Sequence, residues 1–292
     1  MTSIASLKTL PLEVGEPASF GGLTLVPLYN TEEPQLEYLG LDEGSARGLV
    51  VTEISEAGSV GTLFVSNPLD LNVLLYEGEE LVGAKQNRIL DRPVLVPAQS
   101  KVPVPVTCVE RGRWDYRSEQ FAPAPRAAYP SLRRAGREGG QGAAWADVSA
   151  KSARMMVSSP TDASEEMYVK RASSLESYLA KLPRQNGQCG SIVCIAGKVV
   201  CLDFVSRSDV YAGLYAKFLR GYALDAVEHA VDVPVPSEYI ERLLNRLDRA
   251  ERVSASLVGM GSASLLTSSR FAGTELRLGD ELVALTVFPT TA

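Results

Sequence analysis

Two short polar segments carry the residue types in this chain that are best suited to chemistry. The first, EGEELVGAKQNR, spans residues 77–88 and ends in four consecutive long polar side chains, Lys85 to Arg88. The second, ERGRW, spans residues 110–114. A strand does not need four such side chains in a row, because they occupy both of its faces and displace core-forming residues. This departure from a β pattern predicts a functional site formed by the two segments.

Cations, amides and aromatic rings are available in these segments for an anionic ligand that carries a ring. Arginine forks match phosphate and carboxylate groups, and lysine supplies a point charge. Amide side chains can hydrogen-bond to a ribose or a base edge, and aromatic rings stack on planar groups. The predicted ligand-binding residues are Lys85, Gln86, Asn87, Arg88, Arg111, Arg113 and Trp114, with Tyr116 as a second ring. Together they suit a small, anionic, nucleotide-like ligand.

Three carboxylates of the same segments, Glu79, Glu80 and Glu110, are the candidate catalytic residues, as general acids or bases. Their oxygens would also suit Mg²⁺, although the sequence does not require this ion and leaves the cofactor unknown. The alternative interpretation is that the cations and these carboxylates, with Glu77, form a structural salt-bridge network. The single histidine, His229, and the lack of any ligand spacing predict no metal site.

The composition of the chain limits the classes of protein to which it can belong and indicates its cellular compartment. The chain has 292 residues, 45% of them hydrophobic, and a net charge of −6, which argues against a nucleic-acid partner. No apolar run approaches the roughly 20 residues of a membrane span. The first residues lack the apolar stretch of a secretory signal. The four cysteines form no CxxC pair, which indicates reduced, buried thiols. These features predict a cytoplasmic protein without a membrane partner.

The elements that must position the site fall into three predicted parts. Residues 1–117 read as short β-branched strands separated by turns, which predicts a mostly-β module, sandwich-like or barrel-like, that carries the polar segments. Residues 118–142, rich in Ala, Pro, Gly and Arg, are predicted to be a linker or a long loop with solvated arginines. Residues 143–292 are predicted to form an α+β module. The predicted fold class is α+β, with a sandwich-like β part followed by helices packed on an antiparallel sheet.

Within these parts, several local patterns predict specific elements. Pro103 and Pro105 remove ladder donors from one strand, so this strand should be an edge or turn its prolines away from a neighbour. Two strands near 191–205 should form a hairpin, followed by a long helix from Ser208 with a stripe of apolar residues. Asp203 lies in the second of these strands, where an unpaired carboxylate is costly. It should therefore bond to backbone donors or face a ligand.

The polar segments also carry a family resemblance. EGEELVGAKQNR at 77–88, VLVPAQSKVPVPVTCVERGRW at 94–114, SSPTDA at 158–163 and GYALDA at 221–226 resemble the ADP-ribosylglycohydrolase- and rhodanese-phosphatase-associated protein domain. The resemblance extends from about Gly40 to Phe288, and the 77–114 block is its most specific part. It implies an association with ADP-ribose or NAD-derived metabolism and carries over no catalytic residues. The glycine- and arginine-rich stretch at 134–142 departs from the family pattern.

Three functional hypotheses follow from these observations. The first is recognition, with or without processing, of ADP-ribose or a related NAD-derived phosphorylated nucleotide. The second is a non-enzymatic scaffold or homo-oligomer in which the polar block is an ion-pair network. The third is a metal-assisted phosphoester hydrolase. Whether the protein is an enzyme stays open at this point. A structure discriminates between the first two, because it shows whether the polar residues line a cleft or pair with one another.

Overall fold

The computed structural model describes residues 7, 9–229 and 231–290. Six helices and eighteen strands are found in this part of the chain. The strands are β1 (Leu12–Val14), β2 (Ala18–Phe20), β3 (Leu23–Asn30), β4 (Tyr38–Gly40), β5 (Val50–Glu53), β6 (Thr62–Asn67), β7 (Asn72–Leu75), β8 (Glu79–Gly83), β9 (Arg88–Leu90), β10 (Val94–Val96), β11 (Ser100–Cys108), β12 (Phe121–Ala127), β13 (Gly190–Ile195), β14 (Lys198–Val205), β15 (Glu251–Ala255), β16 (Ser262–Thr267), β17 (Phe271–Leu278) and β18 (Glu281–Pro289). The helices are α1 (Leu41–Arg47), α2 (Pro130–Arg154), α3 (Glu165–Lys170), α4 (Ala172–Lys181), α5 (Ser208–Ala226) and α6 (Ser237–Asp248).

Six strands of the first half close into a barrel, in the order β11-β6-β5-β12-β8-β9. The alternation of buried and partly exposed residues along β6 places Leu63 and Val65 in the interior, as period-two patterning requires. Pairing of β9 with β11 closes the ring. The sandwich-like arrangement of the first part is therefore replaced by a barrel, the other architecture that the spacing of short strands allowed.

The prolines of β11 satisfy the second of the two alternatives predicted for this strand. Residues 100–105, which include Pro103 and Pro105, pair with β6 on one side. Pairing with β9 on the other side begins only at Val106. The side of β11 that lacks donors at the prolines therefore has no strand beside it, although β11 as a whole is not an edge.

The largest sheet has nine strands and draws on both ends of the chain. Its order is β1-β3-β13-β14-β18-β17-β16-β15, with β2 paired to β3. The predicted hairpin is present as the antiparallel pair β13 and β14. Strands β1 to β3, which belong to the predicted first module, thus share a sheet with the predicted second module.

Helices cover both faces of this sheet. The core on one face combines α5 residues such as Phe218 and Tyr222 with Val193 and Val205 of the sheet. The core on the other face joins Leu244 of α6 and its neighbours to the alternate strand residues. A small sheet, β10-β7-β4, packs beside the barrel, and its β4–β7 pair is parallel. The α+β class predicted from the sequence is confirmed.

The predicted linker at 118–142 is wrong as secondary structure. Residues Phe121–Ala127 form β12, a barrel strand between β5 and β8, and Pro130–Arg154 form α2, the longest helix among the described residues. Composition misled here because the prolines, glycines and arginines of this segment indicate a loop, although Ala127, Ala128 and Tyr129 are buried. Leu132 and Val148 anchor α2 in the core, while Gly140, at φ 64°, kinks the helix. Within the residues that the structure describes, no helix is both long and apolar enough to cross a membrane.

Candidate functional site

The two polar segments converge, as their residue types predicted. The first comprises β8, the turn after it and the first residue of β9, and the second follows β11. The backbone N–H of Asn87 donates to Glu110 Oε2 at 3.1 Å, and the Arg113 guanidinium donates to the carbonyl of Ala84. Ala84, at φ 36°, forms part of the sharp turn that ends β8. The barrel therefore brings residues 84–88 into contact with residues 110–113, although β10 and β11 lie between them in the chain.

Arg113 is the centre of a buried network that organises this corner. It donates to both oxygens of Glu110, at 2.9 and 2.7 Å, and also to Asn87 Oδ1 at 3.3 Å. Thr161 adds a hydroxyl donor to Glu110 at 3.0 Å. Burial opposes ionisation of Glu110, but the hydrogen bonds from Arg113 and Asn87 prevail and hold its pKa below the ordinary value. This pair therefore holds two chain segments in place.

The SSPTDA motif forms the wall behind this network. Gly112 N donates to the Thr161 carbonyl at 2.8 Å, and a Cβ at Gly112 would lie only 2.9 Å from Thr161 Cα. An isolated bridge also pairs Glu110 with Ala163. The glycine of ERGRW is therefore required for close approach of two backbones, a role that spacing alone did not reveal.

Lys85 and Arg88 differ from Arg113 because neither has a carboxylate within 4 Å among the residues that the structure describes. The Arg88 side chain is fully buried and donates to Gln86 Oε1 at 3.0 Å, while its Nε has no hydrogen-bond partner in the described chain. Burial lowers the pKa of Arg88. A buried guanidinium without an anion is costly, which makes this the unsatisfied part of the polar block.

Two aromatic rings cover these cations from the solvent side. Lys85 Nζ lies 5.3 Å from the centroid of the Trp114 ring and 4.8 Å from that of Tyr116. The Arg88 guanidinium lies 5.7 Å from the Trp114 ring. Trp114 is 39% exposed and Tyr116 is 51% exposed, so both rings keep a free face. The arrangement joins cation–π contacts to a surface on which a planar group can stack.

The cluster of Lys85, Arg88, Trp114 and Tyr116 is called the chamber below, and the loop after β5 packs against its other side. Gly58, at φ +76°, lies so close that a Cβ there would be 3.0 Å from Lys85 Cδ and 3.2 Å from Trp114 Cζ2. Glu53 Oε1 accepts from the Lys85 backbone N–H at 3.4 Å, and its buried Oε2 lacks a partner in the part of the chain that the structure describes. Glu53 and Gly58 were not predicted. Glu53 lies two residues after Val51 in β5, and this period of two was a signal that both side chains face the same side of the strand.

Gln86 and Arg111 have contacts that turn them toward α2. Gln86 accepts from the Cys108 thiol at 3.1 Å, and burial raises the pKa of this thiol. Gln141 of α2 exchanges two 2.8 Å hydrogen bonds with the backbone of Cys108. Arg111 is exposed and lies 5.4 Å from the Trp145 ring, also on α2. Arg111 therefore stacks on the helix and not on Trp114.

The two other candidate acids lie deeper and are ion-paired. Glu79 meets Lys217 of α5 at 3.1 Å, and Glu80 accepts two 2.8 Å bonds from Arg126. Burial raises the pKa of both carboxyls against the effect of these cations. Glu165 links the networks, because it contacts Arg126 at 3.2 Å and accepts from Asn87 at 3.3 Å. The carboxylates thus have partners, but these come from segments far away in sequence.

Arginines of the predicted linker supply several of these partners, so the prediction that they are solvated is wrong. Arg126 and Arg133 are buried, and Arg137 is mostly so. Arg133 holds Asp203 with two bonds of 2.9 and 2.6 Å, between the rings of Phe218 and Phe288. Asp203 therefore pairs with a side chain and not with backbone donors or an open site.

An open cleft of about 550 Å³ lies beside the barrel, between β9, α2 and strands β15 to β17. Glu77, Asp91 and Arg137 line it, and Arg137 bonds to Glu77 at 2.7 Å. Burial raises the pKa of Asp91 to about 6. Lys85 and Arg88 do not line this cleft. In the described residues, no group of three or more His, Cys, Asp or Glu side chains is arranged to hold a metal ion.

The fold and the polar block define a mixed α+β protein in which a closed barrel carries a cationic, aromatic-covered chamber. Its sequence matches the ARG and Rhodanese-Phosphatase-superfamily-associated Protein domain (ARPP-1) over residues 11–288, and the chain belongs to this family. No curated protein and no solved structure matches the chain. The family resemblance predicted from the 77–114 block is confirmed.

Proposed function

We propose that the protein binds ADP-ribose or a related NAD-derived phosphorylated nucleotide at the chamber formed by Lys85, Arg88, Trp114 and Tyr116. The observation that carries this proposal is the pair of cations without a carboxylate within 4 Å in the described chain, one of them with an unpartnered buried Nε. The family name adds a link to ADP-ribosylglycohydrolases. A phosphate group would supply the missing anion.

Each residue at or beside the chamber has a distinct role in this proposal: to bind phosphate, to stack on a ring or to position another side chain. Phosphate oxygens would accept from Lys85 and Arg88, and the base or nicotinamide ring would stack on the free face of Trp114 or Tyr116. Gln86 holds the Arg88 guanidinium in position at 3.0 Å. Because Arg88 is fully buried, entry of a phosphate requires movement of the Trp114 ring or of the loop around Gly58.

Calorimetric titration with ADP-ribose, NAD and AMP, with and without Mg²⁺, tests the proposal. Trp114→Ala and Tyr116→Ala alter half-exposed rings and should weaken binding about tenfold, the loss of roughly 1–3 kcal/mol of stacking. Arg88→Gln should abolish measurable binding of AMP, which carries a single phosphate. Arg47→Gln, which removes an exposed arginine from a helix surface, is the matched control. If none of the three nucleotides binds the parent protein, nucleotide recognition by this chamber is refuted.

A second function, a non-enzymatic scaffold or subunit interface, is favoured by the ion pairs around the chamber. Glu110–Arg113, Glu80–Arg126 and Glu79–Lys217 are all buried and paired, at 2.7, 2.8 and 3.1 Å. On this hypothesis, removal of a cation lowers the melting temperature or changes the oligomer size, whereas Trp114→Ala has little effect. Size-exclusion chromatography with light scattering of the Arg113→Ala variant measures the second outcome.

A further inference from the structure

A second cleft, of about 580 Å³, lies between the end of α6 and the β16–β17 turn. Four arginines line it, three from α6 and its C-terminal end and one from the turn: Arg242, Arg246, Arg249 and Arg270. Asn245, Glu251 and the hydroxyl residues Thr267, Ser268 and Ser269 also line the cleft. None of these residues belongs to the predicted site.

These four guanidinium groups have no carboxylate within 4 Å in the described chain, although eleven other arginines do. The contrast is informative because the protein as a whole is acidic, with a net charge of −6. Carboxylates are therefore abundant but absent from contact with this cluster. Glu251 alone brings a carboxylate to the lining of the cleft, where it is exposed.

The geometry of α6 does not by itself explain the cluster. Arg242, Arg246 and Arg249 follow one another at i, i+4 and i+7, so they share one side of the helix and repel each other. The opposite side of α6, with Leu244, is buried in the core. The helix dipole favours cations in the last turn, which accounts for Arg246 and Arg249. It does not account for Arg242, two turns earlier.

Arg270 reaches the same cleft from an independent element whose backbone is fixed. Ser268 Oγ accepts from the N–H groups of Arg270 and Phe271, both at 3.1 Å. Thr290 N donates to the Arg270 carbonyl at 2.9 Å, and Phe271 is buried in the core. The turn therefore presents Arg270 to the cleft from a rigid support, and convergence with α6 follows from the tertiary fold.

We infer that this cleft binds a small ligand with two or more phosphate groups, held by Arg242, Arg246, Arg249 and Arg270. Arginine forks match phosphate oxygens, and hydroxyls such as Ser269 can donate to the oxygens that remain. A volume of about 580 Å³ is within the range of small-ligand sites. A small ligand is favoured over a nucleic acid because the acidic surface elsewhere repels an extended polyanion.

This inference is separate from the nucleotide chamber, which is built on the barrel, and it holds whether or not that chamber binds a nucleotide. Inorganic tripolyphosphate is the probe, since it offers the phosphates without a base or a ribose. Arg88→Gln should leave tripolyphosphate binding unchanged. Failure of the chamber proposal would therefore appear as absent AMP binding by the parent protein, or as AMP binding that Arg88→Gln does not change, with tripolyphosphate binding intact.

Calorimetric titration of the full chain with tripolyphosphate tests the inference. Arg242→Gln and Arg270→Gln should each weaken binding about tenfold, the loss of one charge-assisted contact. Glu251→Gln should strengthen binding, because it removes the one carboxylate at the cleft. Raising the salt from about 0.1 M to about 1 M shortens the Debye length from about 10 Å to about 3 Å and should also weaken binding. Arg47→Gln is the control.

The result that supports the inference is loss of binding in both arginine variants, with melting temperatures equal to that of the parent protein. Absence of binding by the parent protein would overturn it, and so would unchanged affinity in both variants. Binding of a single-stranded oligothymidylate that depends on Arg242 and Arg270, without any binding of tripolyphosphate, would overturn the small-ligand assignment and identify a nucleic-acid surface instead.

Discussion

Removal of the Arg113 side chain should destabilise the protein by about 3–5 kcal/mol, the usual cost of leaving one partner of a buried ion pair alone. The Glu110 and Arg113 side chains are only 1% and 6% exposed, so water cannot replace the lost contacts. Arg113→Ala would leave Glu110 without its main partner, and the Ala84 carbonyl would keep only the backbone N–H of Arg117 as a donor. For a chain of this size the expected fall in melting temperature is about 10 °C.

Differential scanning calorimetry at neutral and acidic pH measures the fall in melting temperature and the direction in which it changes with pH. The folded pKa of Glu110 is depressed, so its contribution is present above the unfolded value of about 4.3 and is lost as pH falls through the folded pKa. The gap between the parent protein and Arg113→Ala should therefore narrow in acid. Arg117→Ala is the matched control, because Arg117 reaches the same carboxylate at 3.5 Å but is 55% exposed.

A double-mutant cycle measures the coupling energy between Glu110 and Arg113, apart from the other contacts of either side chain. The Glu110→Ala and Arg113→Ala changes together should cost clearly less than the sum of the two single changes, because the double variant leaves no unpaired buried charge. Equal melting temperatures for the parent protein and Arg113→Ala, or a gap that does not change with pH, would refute the role given to this network.

Three further predictions concern single residues around the barrel. Burial raises the folded pKa of Asp91 to about 6, so ionisation of this carboxyl destabilises the folded protein as pH rises from 4 to 6. Asp91→Asn should therefore stabilise the protein by up to about 2–3 kcal/mol at pH 8 and have no such effect at pH 4, as measured by thermal melting. Cys108, whose pKa burial raises, should react with a thiol reagent only after urea unfolds the chain. Gly78→Ala should lower the free energy of unfolding by roughly 1–3 kcal/mol in urea melts, since φ is +89° and the new Cβ would lie 2.5 Å from Arg133 Nε. Gly142→Ala is the control, because open space surrounds this position and the substitution should not destabilise the protein.

The fold class and most elements of the second half were predictable because their patterns are local. The α5 stripe, the β13–β14 hairpin and the four C-terminal strands follow from periodicity and turn residues. Strand β12 and the first half of α2 were not predictable, because the prolines, glycines and arginines of 118–142 indicate a loop. Tertiary contacts override that composition: β12 fills the barrel between β5 and β8, and Leu132 anchors α2.

The contact between the two polar segments was predictable from the sequence, but the division of their cations into paired and unpaired ones was not. Four polar side chains interrupting a β pattern correctly indicated that residues 85–88 meet residues 110–114. Which of those cations are free depends on partners far away in sequence. Arg126 and Lys217 neutralise Glu80 and Glu79, while Arg88 has no such partner in the described chain. Pairing across 46 and 138 residues leaves no signal in a single sequence.

The order of strands in the nine-stranded sheet has a consequence for synthesis on the ribosome. Strand β3 is made before the barrel, but its neighbour β13 begins at Gly190, with the entire barrel made in between. At 5–20 residues per second, β3 waits roughly 10–30 s for that partner. The barrel, by contrast, is complete once Ala127 has emerged. Vectorial synthesis should therefore produce a folded barrel attached to a β1–β3 ribbon whose β13 edge is open, a nascent intermediate that a chaperone would recognise by this exposed apolar edge.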